Sequence, residues 1–227
     1  MHLHLYCIVP DAHSVPEHCI GVDSQRPFML DAGAGLAIWA TGHEEPVPAS
    51  VDAVRVHNDV VTAAMGRSVT PVPLRFGQSA PDRSAAAELV TAEAARWLDL
   101  LERFRGRAEY GVRVMRDVSE TEQDVRAASV QSGTEYMAAL AWKRARAAER
   151  RSEGERIVAE TGARLGLLAI DTRVEYPPTG RVVATIAHLV AWTDADAYHD
   201  AARALRVALQ NARLVVTGPW PPYSFVE

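Results

Sequence analysis

Apolar and polar positions alternate with a period of two at the start of the chain. Leu3, Leu5, Cys7 and Val9 face one way and His2, His4, Tyr6 and Ile8 the other, until Pro10 ends the run. That is the spacing of a strand. Residues 27–31 and 36–41 repeat the pattern around Ala32-Gly33-Ala34-Gly35, whose glycines allow the positive φ of a hairpin turn. The period then lengthens. Ser50 precedes a helical stripe of Val54, His57, Val61 and Ala64, which predicts an N-capped helix ending near Gly66. Pro71 and Pro73 each remove a ladder donor from residues 69–76, which marks that segment as an edge strand. Val90, Ala94, Trp97, Leu101 and Phe104 recur at helical spacing behind Asp82, predicting a second helix over 82–104. Residues 108–116 alternate again as a strand.

From 119 to 164 the composition shifts to Ala, Arg and Glu without proline, which predicts a long helix. Its Arg151/Glu155 and Arg156/Glu160 pairs sit four residues apart on a solvated face. A second hairpin follows, residues 168–176 and 182–192 around Pro177-Pro178-Thr179-Gly180. A helix from Thr193 or Asp194 to about 210 and a short strand over 214–217, stopped by Gly218 and Pro219, complete the series. The fold class is therefore α+β in two domains. Residues 1–117 form a ferredoxin-like variant. Residues 118–227 form an antiparallel sheet packed with helices, including the long Ala/Arg/Glu-rich one, and end in an extended tail of prolines and aromatics. No internal repeat is visible.

Composition narrows the function. With 227 residues, 24 Lys+Arg against 29 Asp+Glu and a net charge of −5, the chain lacks the basic field that binds nucleic acid. No apolar run reaches the ~18 residues a membrane span needs, and no basic-then-apolar leader opens the chain, so a cytosolic protein is expected. Two cysteines, Cys7 and Cys19, permit one bridge at most and no four-sulfur metal site.

The candidate chemistry is sparse. His2 and His4 share a strand face but lack a third ligand at metal-binding spacing. His57 and His188 each interrupt an apolar face, as a hydrogen-bonded core histidine or an acid/base group would. Gly33-Ala34-Gly35 lacks the third glycine and the following helix of a dinucleotide loop. Residues 77–81 lack the closing glycine of a nucleophile elbow. No cofactor is expected. Arg75 and Phe76 end the proline-stiffened strand, with Arg75 placed for an internal ion pair or an external contact. The tail presents Trp220, Tyr223 and Phe225 between fixed prolines, either folded back on the second domain or free as a docking strip.

The opening 5–9 strand, His57, the 71–77 run, Glu109 before Val112-Arg113-Val114, and the terminal Gly-Pro-Trp-Pro-Pro-Tyr-Ser-Phe together resemble the GvpF/GvpL family of gas vesicle proteins. Gly133, Tyr136 and Lys143 fit that pattern, while residues 137–142 depart from it. The resemblance implies two α+β domains, no enzymatic activity, and a place at the gas vesicle in the cytosol. It implies an assembly factor or minor component that contacts the hydrophobic shell protein GvpA and other accessory vesicle proteins and keeps the shell protein from aggregating. Arg75, Phe76, Trp220, Tyr223 and Phe225 are the expected partner contacts. A competing class is a ferredoxin-like enzyme or sensor with His57 or His188 at a small-molecule pocket.

Overall fold

A strand that is apolar on both faces belongs inside a sheet, and β1 (His2–Pro10) lies there, buried along its whole length apart from its two end residues. A computed structural model of the chain describes residues 2–116, 133–177, 180–209 and 212–226. The chain divides into two compact units, Met1–Glu109 with Pro219–Glu227, and Tyr110–Gly218.

In the first unit, β2 (Phe28–Gly33) and β3 (Leu36–His43) form the expected hairpin. Gly33, Ala34 and Gly35 all take positive φ at the turn. The sheet runs β2-β3-β1-β4, with β5 (Ser79–Ala80) also pairing with β1. Ser50 caps α1 (Val51–Ala63) by accepting from the Ala53 amide at 3.0 Å. Tyr6, Cys7, Val9, Trp39, Val60, Val61 and Ala64 make the core beneath that helix.

Two expectations are corrected here. The edge strand contracts to β4 (Val72–Pro73), because the flanking prolines leave only a two-residue ladder to Cys7 and Ile8. The single helix over 82–104 is two, α2 (Arg83–Thr91) and α3 (Ala94–Phe104). The Thr91 hydroxyl lies within hydrogen-bond distance of both the Ala87 and the Ala32 carbonyls, 2.7 and 2.8 Å. Those contacts tie the last residue of α2 to its own helix and to β2.

The second unit holds β6 (Arg107–Arg116), which enters from the first, α4 (Gly133–Arg164), β7 (Ala169–Glu175), β8 (Val182–Ala191), α5 (Ala195–Ala208) and β9 (Ala212–Trp220). Its sheet order is β7-β8-β6-β9. Strand-helix-strand-strand-helix-strand with second, third, first and fourth strands side by side is the ferredoxin-like arrangement. The first unit has the same order, with a connection containing a 3₁₀ turn (Val22–Ser24) where the first helix would stand. The complete pattern therefore belongs to the C-terminal unit and the helix-deficient variant to the N-terminal one. Gly154 lets α4 approach β8: a Cβ there would stand 2.8 Å from the Val183 carbonyl. The part of the expected helix before Gly133 lies outside the described residues.

The last strand is also longer than expected, since Gly218 and Pro219 lie within β9 instead of ending it. Proline is tolerated because β9 is at the sheet edge, where one side needs no donor. The residues after it, grouped by sequence with the second domain, pack in the first unit.

Candidate functional site

The C-terminal segment is built as a plug. Pro221 and Pro222 are buried, and their carbonyls accept from the Tyr223 and Phe225 amides at 2.8 and 3.1 Å, closing a 3₁₀ turn (Tyr223–Phe225). Phe225 is fully buried, and Tyr223 packs on the cluster of Tyr6, Cys7, Val9 and Trp39. Glu109 grips the turn with both oxygens, accepting from the Ser224 amide at 2.9 Å and its hydroxyl at 2.8 Å. Burial raises the Glu109 carboxyl above the ordinary range, and the two Ser224 bonds pull against that shift. Arg96 donates to the Val226 carbonyl at 2.9 Å. Burial also raises the Tyr223 phenol, whose oxygen has no hydrogen-bond partner among the described residues. Of the three tail aromatics, only Trp220 is exposed, at 41 %.

Arg75 is exposed and Phe76 half-buried. The Phe76 ring rests against His4 and His57 at 5.1 and 5.7 Å between centroids. Those histidines are fully engaged with each other. His57 Nε2 donates to the Leu74 carbonyl at 2.9 Å, so its Nδ1 accepts from His4 Nε2, also at 2.9 Å. Beside them a bulge at Tyr6 places its hydroxyl between the Val22 amide, 2.9 Å, and Thr41, 3.0 Å. Thr41 in turn reaches His43 Nε2 at 2.8 Å. Burial lowers the His4 pKa to about 4, with repulsion from His57 and His43 adding to it. His57 is lowered by burial too, against the Leu74 bond. In the second unit His188 Nδ1 meets the Tyr198 hydroxyl at 2.7 Å, and burial lowers it to about 4. Both acid/base candidates are thus neutral, buried and hydrogen-bonded within their own units. Cys7 and Cys19 are free thiols, and no group of metal-ligating side chains forms among the described residues.

The long charged helix, α4, is also a candidate contributor of apolar contact surface from sequence, but no apolar residue on it stands out in the sequence as a contact. Tyr136, Met137 and Trp142 are exposed there, with Arg146 over the Trp142 ring at 5.8 Å. A groove of about 190 Å³ lies alongside, lined by Ala147, Arg150, Arg151, Tyr176, Pro177 and Val183. The signal was present as aromatics among the lysine and arginines, but the charge pairs pointed mostly to a solvated face. Among the described residues, no helix is long and apolar enough to cross a membrane.

Residues 2–227 match the family model described as gas vesicle synthesis protein GvpL/GvpF. Gas vesicle protein F of Streptomyces sp. (strain CB03234) is 29 % identical over 243 residues, covering 100 % of both chains. Gas vesicle protein F2 of Halobacterium salinarum is 24 % identical, over 100 % of this chain and 92 % of its own. The crystal structure of GvpF from Anabaena sp. PCC7120 superposes with a TM-score of 0.77 at 22 % identity, covering 100 % of this chain and 96 % of that one. GvpF from Microcystis aeruginosa gives 0.75 at 18 %, over 100 % and 99 %. At these identities the superpositions establish the α+β fold.

Proposed function

The chain belongs to the gas vesicle synthesis protein GvpL/GvpF family, and from that premise we propose that it works in the cytosol as a vesicle assembly protein, binding the shell protein GvpA and other accessory vesicle proteins. The observation that carries this reading is a family match running from residue 2 to residue 227. A shell subunit with an apolar gas-facing side aggregates unless another surface covers it before assembly. The work asked of this protein is binding, not bond chemistry. The exposed Tyr136, Met137 and Trp142 of α4, together with Trp220, offer solvent-facing apolar contacts of the kind such a task needs. Of the residues expected from sequence as contacts, Arg75 and Trp220 face solvent and are retained as direct ones. Phe76, Tyr223 and Phe225 contribute through packing.

The test is co-expression of the intact chain with GvpA. The expected result is shell protein that stays in the soluble fraction and co-purifies with the chain. Shell protein that pellets equally with and without it overturns the proposal.

A further inference from the structure

Every open sheet has two outer strands whose unpaired N–H and C=O groups invite another chain, and natural proteins blunt them. Among the described residues, three of the four outer edges are blunted. In the first unit, the Thr91 hydroxyl lies against the Ala32 carbonyl of β2 at 2.8 Å, and β4 is two residues long and flanked by Pro71. In the second, β7 carries Asp171, Arg173 and Glu175. The fourth is β9. It carries Arg213 and Pro219 toward its ends, but between Arg213 and Gly218 it reads Leu214-Val215-Val216-Thr217, a stretch of high strand propensity with neither charge nor proline.

This edge is also open. A groove of about 430 Å³ runs along it, lined by residues 212–216 and by Arg206 of α5. Arg206 and Arg213 are both exposed. Neither makes an ion pair among the described residues. We infer that the outer edge of β9 receives an extended segment of a partner protein by strand addition, and that an acidic side chain of that segment pairs with Arg206 and Arg213. The backbone of β9 supplies the hydrogen bonds and the two arginines fix the register. A second copy of this chain is disfavoured as occupant. Its own β9 carries no acidic side chain, so it would leave Arg206 and Arg213 without a counter-charge from the added strand.

The inference rests on the proposed function, which makes the shell protein the partner, and it assigns the place and mode of contact. The test uses the intact chain co-expressed with GvpA, comparing the wild type with the double variant Arg206→Glu/Arg213→Glu and following amide exchange in the wild-type complex. Both arginines are exposed, so the variant should melt like the wild type. The expected result is a loss of roughly tenfold or more in co-purified shell protein, with the outward-facing amides among residues 214–217, every second one along the strand, slowing in exchange only when GvpA is bound. A wild-type complex that forms with those amides unprotected and with the variant binding equally well overturns the strand-addition inference and leaves the proposed function standing. Absence of any wild-type complex overturns both. Protection that appears in the chain alone as its concentration rises assigns the edge to a second copy and overturns the inference.

Discussion

The buried histidines give the clearest residue-level expectation. A histidine whose folded pKa lies below its unfolded value binds fewer protons when folded, so its contribution is complete above the ordinary 6.5 and is lost as pH falls toward the folded value. His4 and His188, both at about 4 in the fold, therefore make stability fall between about pH 6.5 and 4. The upper limit is about 3 kcal/mol apiece. His57 adds in the same direction. Glu109, raised by burial, opposes them, because its protonated form is favoured in the fold and it gains stability as pH falls through its range. Denaturant unfolding across this range should show a net decline toward acid, with a shallower slope for His4→Asn. A stability unchanged from pH 7 to 5 would contradict the neutral His4–His57 pair. His57 and His188 were legible in sequence as core histidines from their places on apolar faces. Their partners were not, because the His4–His57 bond joins residues 53 apart and depends on how α1 lies over β1.

At the scale of elements, periodicity located nearly every helix and strand but not their ends. The stripe through residues 90–104 continues across the break between α2 and α3, so apolar spacing alone reads one helix where the non-helical backbone at Glu93 makes two. The tail shows a second limit. Its prolines and aromatics were conspicuous, yet only the fold reveals that Glu109 and the Tyr6 cluster receive it. Phe225→Ala should accordingly cost about 3–5 kcal/mol in unfolding free energy. Trp220→Ala should cost under about 1 kcal/mol. Tyr223→Phe should be near neutral, because the hydroxyl it removes has no partner among the described residues. Equal losses at Phe225 and Trp220 would contradict the plug.

For the whole molecule, the two units share one strand order although no repeat is visible in the residues. Sheet order is set by which strands are apolar on both faces and which connections are long enough to cross over, and very different sequences meet those conditions. The α+β class and the family were therefore readable from the chain, the family chiefly from its terminal motifs. The open β9 edge was not, since an outer strand is defined by what fails to pair with it. The proposed role of this protein is in vesicle formation. Deleting its gene in the host and measuring cell buoyancy tests that role. Loss of flotation, restored by the intact chain, is the expected result. A deletion strain that floats like its parent would contradict it.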